Sequence, residues 1–330
     1  YGLPAQGDTP SDPHSSFAVI GHYPVDGGLV DGPVYTSIYK NLIGIRLSAP
    51  DEYATFQSDL AVYHDDSGDY STNEPTMDGT ASLVYLLAAK AHEGAGKRQY
   101  DHGGIIRGDS SRKQLALVFT GDEFFDGAAA ISATLRQQQI PASFFFTGRF
   151  YSNPAAQPLI RQLKADGHYL GAHGDQHLLY CDWENRDSLL VTKKQFLDAL
   201  SANYARMEKA GIARKAAPWF LPAYEWHNDS IARWTSEAGL RLVNFTPGTR
   251  SNADYTYPAL GKQYRTSEEI YSSILSYEAG RPGGLNGFLL LLHVGTDPRR
   301  TDKFYKYLPA LITALKKKGY HFSTLEEVLR

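Results

Sequence analysis

The chain predicts an α/β fold whose sheet curls into a barrel, and three observations carry that expectation. From Gln114 onward, short apolar runs alternate with stretches of helical period. About seven such strand–helix units follow one another, and no Gly-x-Gly-x-x-Gly turn marks an open dinucleotide-binding sheet. Polar, chemistry-bearing residues recur where the predicted strands end, which is where barrels of this kind place working groups.

The elements can be justified in order. Residues 1 to 30 are rich in Gly, Pro and Asp and read as irregular. Glu52–Tyr63 and Thr80–His92 read as helices, the second with Leu83, Leu86 and Leu87 on one face, and a polar loop from His64 to Met77 between them. Glu93 to Arg112 is rich in Gly, Lys and Arg, has no period and reads as a linker. The expected division is therefore 1–95, a linker over 96–112, and a main domain over 113–330.

Within that domain the predicted strands are Leu115–Thr120, Ala142–Thr147, Tyr169–Ala172, Trp219–Leu221, Arg241–Phe245 and Phe288–Leu292, with a last short element from Phe322. Phe288–Leu292 is almost purely apolar, as expected of a strand covered on both faces. The predicted helices are Ala128–Gln138, Pro154–Ala165, Lys193–Lys209, a helix capped by Asn228 and running through Glu237, Glu268–Tyr277 capped by Ser267, and Lys303–Lys318 stopped by Gly319. Asp126 is the expected cap of the helix at Ala128.

Composition narrows the function classes. A net charge of -3 gives no electrostatic case for nucleic acid or an anionic membrane surface. No run approaches the roughly 20 apolar residues of a membrane span. Cys181 is the sole cysteine, which excludes an internal disulfide and a Cys-based metal cluster. The 22 tyrosines and four tryptophans offer flat amphipathic rings of the kind that suit sugar faces, although most such rings serve packing. The chain starts at Tyr1 without Met, which reads as a processed chain compatible with secretion.

Two runs point to chemistry. Thr120-Gly121-Asp122-Glu123 ends one predicted strand and His173-Gly174-Asp175-Gln176-His177 follows another. A carboxylate and two imidazoles bind a zinc-like cation and leave positions open, while a spare carboxylate can take a proton from water. The spacing of His173 and His177 would put both rings on one side of a helical turn. Asp175 and Gln176 between them read as supporting or solvated. His293 ends the strand Phe288–Leu292, and Tyr224, Glu225 and His227 follow the strand at Trp219, with Trp226 beside them as a candidate cleft residue. This reads as a metal hydrolase.

Together these runs resemble the NodB-type polysaccharide deacetylases, carbohydrate esterase family 4, over roughly Arg112 to Arg330. The family's Thr-Phe-Asp-Asp motif is matched by Thr120-Gly121-Asp122-Glu123, and His-Ser-x-x-His by His173 to His177. Arg-Pro-Pro-Tyr-Gly is matched imperfectly by Leu221-Pro222-Ala223-Tyr224-Glu225, and Leu-x-His by Leu291-Leu292-His293. The resemblance implies a distorted (β/α)7 barrel of the polysaccharide deacetylase type, preceded by a small, mainly helical N-terminal segment. It implies Asp122 as general base, Glu123, His173 and His177 as ligands of a divalent metal, Zn2+, and His293 as proton donor. Tyr224, Glu225 and Trp226 become substrate-binding candidates. The implied substrate is an acetylated polysaccharide or oligosaccharide and the implied location secreted or periplasmic.

Four departures stand out. Glu123 is one methylene longer than the usual Asp, so a register with Asp122 on the metal and Glu123 as base is open. Leu221 stands where an Arg normally pairs with the base, so Asp122 needs another partner, with Arg250 a candidate. The family's Asp-x-x-Asp-Trp motif has no clear match, and Asp254-Tyr255 is the candidate partner of His293. Glu225 replaces a Gly and adds a carboxylate near the site.

Residues Asp12 to Ala89 carry a second resemblance, to the C-terminal end of family 9 glycoside hydrolases, including Asp69-Tyr70-Ser71-Thr72-Asn73-Glu74. That family's general acid maps to Glu74. Almost the whole helical barrel upstream is missing, and a lone carboxylate cannot run two-carboxylate glycoside chemistry. This segment is expected to be a remnant.

Overall fold

The computed structural model describes residues 16–22, 29–74, 76–94 and 98–330. Most of the stretch expected to be irregular, residues 1–15 and 23–28, lies outside them. The chain divides into two compact units, Tyr1–Glu93 and Gly94–Arg330.

In the first unit, Val34–Tyr35 pairs antiparallel with Ala61–Val62, and a helix runs from Met77 to Gly94. The helix expected over Glu52–Tyr63 is not there. A single 3-10 turn, Ala54–Phe56, and the strand Ala61–Val62 take its place. The polar side chains of this segment prefer local bonds that compete with a helix. Asp51 accepts from the Tyr53 backbone N–H at 2.8 Å, and Gln57 exchanges bonds with Tyr63, receiving its N–H at 3.0 Å. Ser16–Gly21, within the stretch read as irregular, is a short helix.

The second unit is a curled mixed sheet with helices packed on it. Its strands are β1 Gln99–Asp101, β2 Gly104–Arg107, β3 Gln114–Gly121, β4 Ala142–Phe146, β5 Tyr169–Ala172, β6 Trp219–Phe220, β7 Arg241–Leu242, β8 Phe288–His293 and β9 His321–Phe322. Their order is β1-β2-β8-β3-β4-β5-β6-β7, with β9 added beside β3. The run from β8 to β7 is parallel, and β2 lies antiparallel against β8. A lone bridge from Ile105 in β2 to Val243, just past β7, brings the two sides of the sheet back together.

The curled barrel is therefore as expected, but one stave is not. Six neighbouring strands, β8 and β3 to β7, are parallel, and the remaining place is filled by antiparallel β2, drawn from the stretch read as a linker. Ile105, buried in the core, holds it there, and its carbonyl accepts from Asn244 N at 2.8 Å. Between β2 and β3, Gly108 sits where a β-carbon would lie 1.9 Å from the Val328 carbonyl oxygen, so this connection tolerates only glycine.

β3, β4 and β8 are buried along nearly their whole length, with Leu115, Leu117, Phe119, Phe144, Phe146, Leu290 and Leu292 in one layer of core. Phe119 stacks on Phe144 at 5.0 Å, and Phe146 on Phe150 at 4.0 Å. The helices covering the sheet include α1 Ala128–Gln138, α2 Gly148–Ser152, α3 Gln157–Ala165, α4 Lys193–Lys209, α5 Asp229–Glu237, α6 Ser267–Gly280 and α7 Leu308–Lys317.

Caps explain where several of them start. Asn228 caps α5 as expected. The cap of α6 is Thr266, one residue before the expected Ser267, in a capping box with Glu269. Asp126 does not cap α1. Its carboxylate accepts the Thr296 N–H at 2.9 Å and pairs with Lys303 at 3.0 Å, tying the β3 loop to the β8 loop.

Candidate active site

The register of the sheet builds the site. Thr120 in β3 stands opposite His293 in β8, and Ala172 in β5 opposite Phe220 in β6. The residues that follow each strand therefore emerge on one rim. They line a cavity of about 450 Å3 with Asp122, Glu123, His173, His177, Tyr224, Glu225 and His293 in its wall, joined by Trp183, Tyr255 and Tyr257.

Asp122 is held from two sides. Its Oδ1 accepts the Thr147 hydroxyl at 2.7 Å and the Arg149 Nε–H at 3.2 Å, and Arg149 Nη2 reaches Oδ2. Thr147 is itself fixed, because its oxygen caps α2 by accepting the Phe150 N–H. The partner that Leu221 cannot provide is thus Arg149, and the suggestion of Arg250 is corrected. Arg250 is exposed and its backbone is left-handed at the start of a 3-10 turn.

His173 is almost wholly buried. Its backbone N–H donates to Asn203, and its Nδ1 lies 2.9 Å from the Leu221 carbonyl, to which it donates. That bond fixes the tautomer, leaving Nε2 with a lone pair turned to the cavity. Burial, then the proximity of His177, holds the His173 ring well below the usual histidine range. Burial also takes His177 down to about 4. Both rings are therefore neutral near pH 7, as ligands must be.

The two histidines meet without a helical turn. Residues 173–177 form a loop in which Gly174 has φ +86° and His177 φ +53°. Alanine at Gly174 would combine a disfavoured φ with a contact of 2.7 Å to the Tyr180 hydroxyl. Asp175, within this loop, is buried and paired with Arg206 at 2.6 Å, which secures the loop's shape.

His293 is positioned by Asp254. One carboxylate oxygen accepts the ring Nδ1–H at 2.6 Å and the other the backbone N–H at 2.9 Å. Asp254 is the residue that the sequence put forward as this partner. Burial alone would lower the His293 ring, but the Asp254 charge and hydrogen bond outweigh it, and the ring ends above the usual histidine range.

The substrate candidates divide. Tyr224 lies over His177 with ring centroids 4.3 Å apart and is half exposed. Glu225 is tucked inside, and burial pushes its carboxyl up from the ordinary glutamate range. Trp226 is not part of the cavity wall. Its Nε1–H donates to the Asp182 carbonyl, the Arg186 guanidinium lies over its ring, and it backs Trp183, which does face the cavity. His227 is likewise structural, bonded to Asp101 O and the Asn244 amide. Sequence reasoning missed Arg149 and Trp183. For Trp183 the composition was the signal, and for Arg149 no local pattern marked it.

A tetrahedral ion with two imidazoles at about 2.1 Å would place their ring centroids about 5 Å apart. The rings of His173 and His177 are 5.2 Å apart, and the donor chemistry fits a divalent cation. Glu123 is exposed on the cavity rim. Among the described residues no trio of His, Cys, Asp and Glu is drawn tightly enough together to close around an ion.

Comparison with known proteins agrees with this architecture. Residues 107–243 match the polysaccharide deacetylase family model, and residues 2–87 that of glycosyl hydrolase family 9. A peptidoglycan-N-acetylglucosamine deacetylase of Bacillus cereus is 26% identical over 67% of this chain and 90% of its own. The uncharacterized protein YlxY of Bacillus subtilis is 25% identical over 68% of this chain, which spans only 60% of that relative's length. Among solved structures, a carbohydrate esterase family 4 pseudoenzyme from Bacillus anthracis superposes with a TM-score of 0.53 at 15% identity, covering 70% of each chain, so it bears on the fold alone. Residues 107–243 thus match the polysaccharide deacetylase family model, and the curled sheet and the rim of strand-end residues agree with that match.

Proposed function

We propose that the chain is a metal-dependent carbohydrate deacetylase that hydrolyses O-acetyl or N-acetyl groups on a polysaccharide or oligosaccharide outside the cell. The observation that carries this reading is one cavity holding a braced carboxylate, two neutral imidazoles spaced for one ion, and a carboxylate-backed histidine. The Bacillus cereus relative, a peptidoglycan deacetylase by name, supports the reaction class.

His173 and His177, with a carboxylate of the same cavity, would hold a divalent cation, Zn2+ by the hardness and number of the donors. When bound, such an ion polarises the acetyl carbonyl and acidifies the attacking water. Asp122, held in place by Arg149 and Thr147, takes the proton from that water. The backbone N–H of Tyr224 is the proposed donor to the developing oxyanion. His293 carries a proton on Nε2 while Asp254 holds Nδ1, and gives it to the departing sugar oxygen or nitrogen. A positioned acid of this kind contributes about 10² to 10⁴ in rate.

A second reading has its own observation. Leu221 stands in place of the motif arginine. On that reading the cavity binds glycan without turning it over. Acetate release from acetylxylan, chito-oligosaccharides and peptidoglycan, with and without chelator and added zinc, separates the two. Release abolished by chelator and restored by zinc is expected. Stoichiometric metal with no acetate from any substrate would leave the binding reading in its place.

A further inference from the structure

The proposed proton donor and its carboxylate partner come from different segments. His293 ends β8, while Asp254 lies in the 3-10 turn Ser251–Tyr255 ahead of α6. Their alignment depends on what ties that turn to the end of β8.

Two consecutive arginines in the loop after β8 make the tie. Arg299 lies outside, its guanidinium 4.0 Å from the ring centre of Tyr257 and its charge paired with Asp297. Arg300 lies inside and is wholly buried. Its Nη1 donates to the carbonyl of Thr256 and, at 2.9 Å, to that of Arg265, while Nη2 donates to the Ser267 hydroxyl at 3.1 Å. The two carbonyls stand at the ends of the excursion 256–265, so one guanidinium closes its base. Thr256 is two residues from Asp254, and its own N–H and hydroxyl both donate to the Ala253 carbonyl, at 3.0 and 2.6 Å. A grip on Thr256 is therefore a grip on the turn that carries Asp254.

Such a group is costly to bury. A guanidinium inside a protein needs a close counter-charge, but its ion-pair partner, Asp302, is 3.6 Å away, and its Nε has no partner among the described residues. Its charge also works against His293, whose protonated form it disfavours. Electrostatics alone would favour an uncharged residue here. What the planar fork supplies is geometry, since it bonds three points of one segment in fixed directions, which an ammonium cannot reproduce.

We infer that Arg300 is a positioning residue for the proposed acid: it holds residues 254–257 against the loop after β8 and so keeps Asp254 in line with His293. It reaches the reaction only through Asp254. The inference rests on the reading of His293 as proton donor and does not depend on which groups hold the ion.

A double-mutant cycle on the full chain tests it, with Arg300→Lys and Asp254→Asn made singly and together. Acetate release from an acetylated oligosaccharide gives kcat and KM. The downfield proton resonance of the His293 Nδ1–H, identified by its loss in Asp254→Asn, reports on the pair without turnover. Arg300→Lys is expected to lower kcat about 10- to 100-fold with KM within about threefold of wild type, and to shift or broaden the resonance. In the Asp254→Asn background the same substitution should change kcat by less than about threefold, because the group it positions is already lost. Asp302→Asn loosens the same grip from its more exposed side, so it carries the test should Arg300→Lys fail to fold. It is expected to move kcat and the resonance in the same direction by a smaller amount, and wild-type values there would count equally against the inference. Losses that multiply in the double variant, or a kcat and resonance unchanged in Arg300→Lys, overturn the inference and leave His293 as the donor. Wild-type kcat in Asp254→Asn overturns the reading of that pair, and the inference with it.

Discussion

The guanidinium of Arg149 engages both oxygens of the Asp122 carboxylate, from a position 27 residues later in the chain. Arg149 sits in the first turn of α2, and Thr147, which caps that helix, touches the same carboxylate. One short helix therefore fixes the proposed base from two directions. Removing the arginine should leave the carboxylate in place but free to rotate. Misplacing a reacting group by about 1 Å can cost about 100-fold in rate, so Arg149→Ala is expected to lower kcat by roughly 10- to 100-fold with little change in KM. Arg149→Lys should fall between, because an ammonium cannot match both oxygens at once. Steady-state kinetics on an acetylated oligosaccharide would decide it, and an unchanged kcat in Arg149→Ala would remove this role.

The pairing of His293 with Asp254 predicts a pH effect. A proton donor works only while protonated, so activity is lost as pH rises through its pKa. Asp254 overcomes the effect of burial and raises that pKa above the ordinary histidine value. Asp254→Asn keeps the shape and removes the charge, so the ring's pKa should fall. The basic limb of kcat/KM is then expected to move to lower pH, with part of the roughly 10² to 10⁴ rate contribution of the acid lost at pH 7. A basic limb that stays where it is in Asp254→Asn would assign it to another group.

Trp183 is 54% exposed and faces the cavity, edge-on to Tyr224 at 5.9 Å and packed on Trp226 at 5.4 Å. With Trp226 pinned by Asp182 and Arg186, the outer ring is rigid and wet on one face, a good platform for a sugar. Its ring contacts are the rings of Tyr224 and Trp226, neither of which is the proposed acid or base. Trp183→Ala is therefore expected to raise KM for oligosaccharides about tenfold, close to 1.4 kcal/mol, and to leave kcat unchanged. Equal KM values for the variant and wild type would mean that the glycan runs elsewhere.

These effects also show what the sequence could and could not convey. β3 and β8 were legible because strands buried on both faces must be continuously apolar. The strand-end carboxylates and histidines were legible because barrel strands deliver such groups to one rim. The hairpin Gln99–Arg107 was not, since an edge pair with only Ile105 and Ile106 to bury has no period to read. His173 and His177 were paired correctly for the wrong local reason, because a left-handed glycine, not a helical turn, brings them together. Arg149 was invisible because ion pairing between separate strand ends leaves no mark in local spacing. Trp226 looked like a cleft residue by adjacency, but the extended backbone after the 3-10 turn sends it behind Trp183.

His227 gives a stability prediction independent of catalysis. The ring is fully buried, its Nε2–H donating to the Asp101 carbonyl at 3.1 Å and its Nδ1 accepting from the Asn244 amide at 3.2 Å. A second proton on Nδ1 would break the Asn244 bond and bury a charge. Burial, opposed only weakly by the Asp101 hydrogen bond, accordingly takes its pKa down to about 4. Unfolded, the same ring titrates near 6.5, so between pH 6.5 and 4 the unfolded chain binds more protons than the native one. Stability must rise with pH across that window and is complete above it. At about 1.4 kcal/mol per pH unit, the native state is expected to lose about 3 kcal/mol from this group as pH falls from 6.5 to 4. His227→Gln should be less stable than wild type at pH 7.5, yet its stability should decline less steeply between pH 6.5 and 4.5. Urea titrations at those pH values would measure both, and parallel pH slopes in the two proteins would show that His227 does not titrate on unfolding.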